Sequence, residues 1–292
     1  MAQQFLQLTV NALAVGCIYA VIALSFEIAY ESTGVVNFAT GQLVAIGALL
    51  GTTAVVFAGG AGISAYMIVA LGMALLGIAF YLGVYLPLRG QPPLTIVIGT
   101  VGIGIFIQNI AQLTWGPLPI GTKSPVGTGV VTILGAVVSL HALYVIAVTA
   151  VLIVCVYLLI YRSSLGSQFR ALAQDPETAR LMGIRVGLLY TLTWILVCVL
   201  AGIAGLLIGP MWFVDVGMGD SLGLKAFAAA IIGGFGSIPG AICGGILVGL
   251  AEIFGASYLS SAYKDALVFA LMFLFLLVRP QGLFGERIAD RA

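Results

Sequence analysis

Long apolar runs, separated by short polar segments, make up most of the sequence. A helix needs about 20 apolar residues, each adding about 1.5 Å, to cross a bilayer core about 30 Å thick. Runs of this kind predict membrane-spanning helices. They lie at residues 6–26, 35–57, 66–86, 93–113, 143–161 and 186–207, and a shorter last run lies at 266–278.

Two further apolar segments, 226–235 and 241–254, are short and rich in glycine, and Gly236-Ser-Ile-Pro-Gly240 separates them. Ten helical residues extend only about 15 Å, half of the core. The pattern predicts a broken or re-entrant hairpin buried in the bundle, because irregular backbone at membrane depth must be covered by protein or line a cavity. We therefore expect an all-α polytopic membrane protein with about eight transmembrane helices, this glycine-rich hairpin included, as a single domain over residues 1–292.

Composition supports the membrane interpretation and excludes other classes of protein. The chain is 62% apolar and 7% charged, whereas a soluble domain is about one quarter charged. A net charge of +1 gives no electrostatic basis for binding a polyanion such as DNA. The single histidine, His141, has no Cys, Asp or Glu near it in sequence, and Thr122 interrupts the only P-loop-like run. We expect no catalytic site, metal site or bound cofactor in this chain.

The basic residues predict which parts of the chain face the cytoplasm, since Lys and Arg are enriched in cytoplasmic loops. Four arginines lie in residues 162–185, and three lie in the tail, residues 279–292. Both segments are therefore predicted to be cytoplasmic, and loops 114–129 and 210–223 to lie outside. For the tail to lie inside, the glycine-rich hairpin must begin and end outside.

The cytoplasmic segment 162–185 predicts two short helices. Asp175 is a natural N-cap of the second helix, with Pro176 at its first position and Glu177 in its first turn. Gly183 is a natural stop signal for the same helix. This pattern favours a docking helix for a cytoplasmic partner, although an apolar stripe could also pack on the membrane face of the protein itself. The apolar residues of the first helix recur at helical spacing: Leu165, Phe169, Leu172 and Ala173.

A polar insert, Val-Asn-Phe-Ala-Thr-Gly-Gln at residues 36–42, opens the second apolar run. Asn37, Thr40 and Gln42 need hydrogen-bond partners there, and without a charge they could contact a neutral or zwitterionic solute. Hydrogen bonding between helices is an equally good interpretation. Glu252 lies within the hairpin and must be paired, hydrated or protonated. Glu27 and Glu31 lie four residues apart near the predicted cytoplasmic boundary.

Six motifs in order along the chain resemble the permease subunits of bacterial branched-chain amino-acid ABC importers, specifically the LivH type. Each motif alone is weak, whereas together they cover nearly the whole length. The motifs begin with NALAVGCIYA at residues 11–20, VNFATGQ at 36–42 and RALAQDPETARLMGI at 170–184. They continue with KAFAAAIIGGFGSIPGA at 225–241, SSAYKDALVFAL at 260–271 and RPQGLFG at 279–285.

The resemblance implies a multi-pass permease of the bacterial inner membrane that moves a branched-chain amino acid inward by alternating access. It implies a second related permease subunit, two cytoplasmic ATP-binding subunits that carry ATP and Mg²⁺, and a periplasmic solute-binding protein. By the same resemblance, residues 162–185 couple the permease to the ATP-binding subunits. The coupling residues expected are Leu165, Gly166, Phe169, Arg170, Ala173, Asp175, Glu177 and Gly183, and the pathway residues expected are Asn37, Phe38, Thr40, Gly41, Gln42, Gly236 and Ser237.

The sequence departs from the family at two positions of the second motif. Family members commonly carry His and Glu there, whereas this sequence has Thr40 and Gln42. This departure leaves open a related importer for urea, short amides or another amino acid. A hypothesis of another class, an ion-coupled secondary transporter or channel, is motivated by the broken hairpin and Glu252.

Overall fold

The computed structural model describes residues 2–60, 62–133 and 135–285. Over these residues the chain is a helical bundle with eight helices long and apolar enough to cross a membrane. The all-α polytopic fold class is therefore confirmed. Arg287 and Arg291 of the predicted tail lie outside the described residues.

The first half of the bundle runs from α1 to α5. Its helices are α1 (Ala2–Thr33), α2 (Thr40–Phe57), α3 (Ile63–Phe80), which continues through a π-helical turn (Tyr81–Tyr85) into α4 (Leu86–Leu88), and α5 (Pro93–Trp115). A short antiparallel ribbon follows, which hydropathy did not predict. It consists of β1 (Val130–Ile133) and β2 (Ala136–Ser139), with Val130 opposite Ser139.

The second half begins with α6 and includes the predicted cytoplasmic segment and the hairpin. Its helices are α6 (Leu140–Arg162), α7 (Ser164–Gln174), α8 (Pro176–Leu181), α9 (Val186–Ile208), α10 (Met218–Gly233), α11 (Ile238–Tyr258) and α12 (Lys264–Val278), the last preceded by a 3₁₀ turn (Ser261–Tyr263).

Helix α1 forms the centre of the bundle, where it packs against α6, α9, α10 and α11. Close packing depends on small residues, because association within a bilayer relies on backbones that approach closely. At the contact of α2 with α9, a Cβ added to Gly47 would lie 2.2 Å from the Cα of Gly202. A larger side chain at Gly47 would force these two helices apart.

The glycine-rich hairpin is formed by α10 and α11, and its arms are longer than the apolar runs indicated. Helix α10 has 16 residues and α11 has 21, which correspond to lengths of about 24 and 32 Å. The chain turns at residues 234–237, where Gly234 and Gly236 adopt positive φ. The first arm is longer than the apolar run 226–235 because α10 also includes Asp220 and Lys225, which precede that run.

The two ends of the bundle can be told apart by their contacts. At the arginine-rich end, which carries residues 162–185, the N–H groups of Leu283 and Phe284 donate to the carbonyls of Ile232 and Gly233, at 2.9 and 3.0 Å. The tip of the hairpin therefore lies at this end. At the opposite end, Phe5 packs against Phe254, with ring centroids 5.4 Å apart. The hairpin thus begins and ends opposite the arginine-rich end, as the charge pattern requires.

Candidate functional site

A cavity of about 290 Å³ lies where the start of α2 meets α1, α5 and α10. Its walls are mostly apolar, and its polar side chains are Gln42 and Asp220. The lining residues are Phe26 from α1, Phe38, Gly41 and Gln42 at the start of α2, Val101, Gly104 and Ile105 from α5, and Gly219, Asp220, Gly223 and Leu224 from α10.

The polar insert forms the break between α1 and α2. Asn37 accepts a hydrogen bond from the N–H of Ala39 at 3.1 Å, and the Thr40 hydroxyl donates to the Asn37 carbonyl at 2.8 Å. The Phe38 N–H donates to the Thr100 hydroxyl at 3.2 Å. Asn37 and Thr40 are buried and hold this turn. The insert thereby positions Phe38, Gly41 and Gln42 at the cavity.

Helices α2 and α10 meet at a pair of glycines beside the cavity. A Cβ added to Gly41 would lie 2.2 Å from the carbonyl oxygen of Gly219, so the two backbones touch. This contact brings the next residue of each helix together. The Gln42 amide nitrogen donates to Asp220 Oδ1 at 2.6 Å, and that of Gln108 lies 3.4 Å from Asp220 Oδ2.

Asp220 is a site residue that sequence reasoning missed, because it was placed in an outside loop. The structure places it in the first turn of α10, where the positive end of the helix dipole favours a carboxylate. The run Gly-Asp-Ser at 219–221, directly before an apolar stretch, is the sequence signal that could have indicated a helix start here.

The remaining predicted pathway residues lie at the arginine-rich end. The Gly236 N–H donates to the Glu27 carboxylate, and the Ser237 hydroxyl caps α11 by accepting from the Gly240 N–H at 3.2 Å. The structure therefore brings Phe38, Gly41 and Gln42 together at the cavity. It places Gly236 and Ser237 at the tip of the hairpin, away from the cavity lining.

A buried ion cluster joins α1, α10, α11 and α12. The Lys225 ammonium lies 2.6 Å from Glu252 Oε1 and 2.7 Å from Asp265 Oδ1. The Tyr19 hydroxyl donates to Glu252 Oε2 at 2.5 Å. Lys225 and Glu252 are both nearly inaccessible to solvent. Glu252 is therefore paired, and Lys225 and Tyr19 are the partners that sequence reasoning did not identify.

The predicted cytoplasmic helices are α7 and α8, and their caps are those expected. Asp175 accepts hydrogen bonds from the N–H groups of Glu177 and Thr178, at 2.9 and 3.2 Å, and from the Thr178 hydroxyl. The Thr178 hydroxyl bond, followed by the two backbone bonds, lowers the pKa of Asp175 below its ordinary value. Gly183 has a φ of 83° just after α8, which confirms its prediction as a stop.

One face of α7 packs on the bundle. Gly166 touches the end of α6, since a Cβ there would lie 2.0 Å from the Ile160 carbonyl oxygen. The Arg170 guanidinium donates to the same oxygen at 2.5 Å, and Leu172 is fully buried. Leu165 and Phe169 are half-buried, whereas Ala173, Asp175 and Glu177 are exposed. Part of the apolar stripe therefore packs on the protein itself.

The exposed apolar surface of this segment lies instead at the end of α8. Leu181 is 87% exposed and Met182 is 79% exposed. Both lie at the arginine-rich end, Leu181 as the last residue of α8 and Met182 directly after it. This pair is the part of the segment that a partner could cover.

Comparison with known proteins identifies relatives over almost the whole chain. The family described as "Branched-chain amino acid transport system / permease component" matches residues 8–276. BraD of Pseudomonas aeruginosa, a high-affinity branched-chain amino acid transport system permease protein, is 34% identical, with 97% of this chain and 96% of BraD covered. LivH of Escherichia coli K12, a permease protein of the same description, is also 34% identical at the same coverage.

A more distant relative is the probable branched-chain amino acid transport permease protein LivH of Methanocaldococcus jannaschii. It is 27% identical, with 90% of this chain and 87% of the relative covered. Among solved structures, PsaBC from Streptococcus pneumoniae in complex with Fab matches 93% of this chain and 91% of its own, with a TM-score of 0.49 and 14% identity.

Proposed function

The chain belongs to the branched-chain amino acid transport system permease family, and we propose that α7 and α8 couple it to ATP-binding partner subunits. As a permease component it is not itself an enzyme. In this proposal ATP and Mg²⁺ bind two separate cytoplasmic subunits. A second related permease and a periplasmic solute-binding protein complete the importer, which moves a branched-chain amino acid into the cell by alternating access.

The observation that carries the coupling proposal is the contrast between the two faces of residues 162–185. The inner face is fixed to the bundle through Gly166, Arg170 and Leu172. The outer surface presents Leu181 and Met182 to solvent. A partner that covers this pair could transmit its motion to α6 and α9, because α7 is anchored on α6 and α8 leads into α9. Such a contact can bias the bundle between two states.

The coupling proposal predicts that charges at Leu181 and Met182 block docking of the ATP-binding subunits. The double variant Leu181→Glu, Met182→Glu in the complete transporter should lower leucine uptake into proteoliposomes at least about tenfold, since buried apolar anchors dominate interface energies. Less ATP-binding subunit should also copurify with the permease. Phe284→Glu is the matched control, because Phe284 is also a large exposed apolar residue at this end. We expect uptake within about twofold of the unaltered complex for this control.

Normal uptake and normal copurification in the double variant would contradict the coupling proposal. The competing hypothesis of an ion-coupled carrier was motivated by the broken hairpin and by Glu252, and that carboxylate is paired with Lys225 and Tyr19. Uptake by this chain alone in liposomes, driven by an ion gradient, would nevertheless favour the carrier over the importer.

A further inference from the structure

We propose that the cavity at the start of α2 binds the ammonium group of an α-amino acid, with the Asp220 carboxylate as its counter-ion. This inference rests on the proposed function, since it assigns the solute contact within the same permease. It assigns a charged recognition group to a pathway that sequence reasoning expected to be uncharged.

The charge balance at Asp220 supports this inference. Its partners are the amide nitrogens of Gln42, at 2.6 Å, and Gln108, at 3.4 Å. Over the described part of the chain, the Lys and Arg ion pairs within 4.0 Å involve Glu252 and Asp265 but not Asp220. Amides orient the carboxylate without neutralising it, so a cation in the cavity meets an uncompensated negative charge.

A second observation at the same wall is the Gln42 carbonyl oxygen. Gln42 is 6% exposed and lines the cavity, and among the described residues its Oε1 is a buried atom with no hydrogen-bond partner. A buried acceptor without a partner is costly. An ammonium group has three donors. It can therefore donate to Asp220 and also satisfy Gln42, which fixes its position at the contact of α2 with α10.

The rest of the cavity suits an aliphatic side chain. Phe26, Phe38, Val101, Ile105 and Leu224 supply apolar surface around the polar pair. The volume of about 290 Å³ lies just below the range of about 300–1,000 Å³ typical of pockets for drug-sized ligands. A small amino acid with a branched apolar side chain fits both the size and the polarity. An analogue that lacks the ammonium group would leave the Asp220 carboxylate without a counter-ion, and the site would therefore reject it.

The first test replaces the carboxylate by an isosteric amide in the complete transporter. With saturating loaded binding protein, Asp220→Asn should lower leucine uptake about tenfold, the effect of losing a hydrogen bond to a charged group. Asp220→Glu should recover part of the lost uptake, because it restores the carboxylate. Asp215→Asn is the matched control, because Asp215 lies just before α10 and accepts a hydrogen bond from the Gly217 N–H, at 2.8 Å. Its uptake should be unchanged.

A second test measures binding independently of transport. In a Cys155→Ser background, Leu224→Cys places a thiol in the cavity wall. Leucine should slow labelling of this thiol about tenfold, whereas 4-methylpentanoate, the same skeleton without the ammonium group, should not. Adding Asp220→Asn should abolish the protection by leucine. Labelling of Cys198 reports on folding, because this thiol is fully buried in the folded protein.

These measurements separate the two proposals. If the unaltered complex takes up no branched-chain amino acid, the transport assignment and the site inference both fail. If it takes up leucine but Asp220→Asn transports at the same rate, only the site inference is overturned. Equal protection by leucine and 4-methylpentanoate would also overturn it, because the cavity would then recognise the apolar skeleton rather than the ammonium group.

Discussion

The hairpin of α10 and α11 carries two carboxylates whose surroundings differ sharply. Asp220, at the start of α10, is exposed to a cavity and bonded to two side-chain amides. Glu252, within α11, is 2% exposed and bonded to the Lys225 ammonium and the Tyr19 hydroxyl. The charge of the partners, rather than the presence of an acid in the membrane, therefore separates a structural carboxylate from one available to a ligand.

The difference between the two carboxylates follows from how the helices meet around each of them. Around Glu252 four helices converge, and each contributes a group to one cluster, so the charge is neutralised within the chain. At Asp220 the contact of Gly41 with Gly219 brings two backbones together and leaves space beyond them. The Lys225 cluster therefore fixes the hairpin in the bundle, whereas the Asp220 side remains open.

The largest expected effect comes from removing the cation of the buried cluster. Lys225→Met should lower the free energy of unfolding by about 3–5 kcal/mol, because it removes the buried partner of Glu252 and leaves only the more exposed Lys264 ammonium, 3.8 Å from Glu252 Oε1. Thermal unfolding of the detergent-solubilised protein would measure the change. The double variant Lys225→Met, Glu252→Gln should recover much of the loss, since no buried charge is then unpaired. A neutral effect of Lys225→Met would contradict a structural role for the pair of Lys225 and Glu252.

Hydropathy predicted the spanning helices well, because the cost of polar groups in hydrocarbon dominates the choice of segments. It underestimated the first arm of the hairpin, since Asp220 and Lys225 precede the apolar run 226–235 and their partners lie on separate helices. The caps at Asp175 and Gly183 were predictable because capping is local. Asp220 was not, because only the contact of α2 with α10 brings it to Gln42.

A smaller effect on stability is expected at the other carboxylate. Asp220→Asn should change the free energy of unfolding by at most about 1 kcal/mol, because its partners are neutral and it is exposed. The same unfolding measurement applies, with Asp215→Asn as the control. A loss as large as that of Lys225→Met would mean that Asp220 is structural as well, and the distinction between the two carboxylates would disappear.

The smallest effect concerns a third carboxylate, Asp175, which hydrogen bonds hold at the start of α8 outside the spanning helices. Its pKa lies below the ordinary value, chiefly through the Thr178 hydroxyl. A lowered folded-state pKa means that the capping contribution is fully present above about pH 4, the unfolded value, and is lost as pH falls through the folded value. Thr178→Val should raise this pKa toward the ordinary value, as a carboxyl carbon NMR titration would measure, with Thr191→Val as the control. An unchanged pKa would show that the backbone N–H groups of Glu177 and Thr178 alone hold the charge of Asp175.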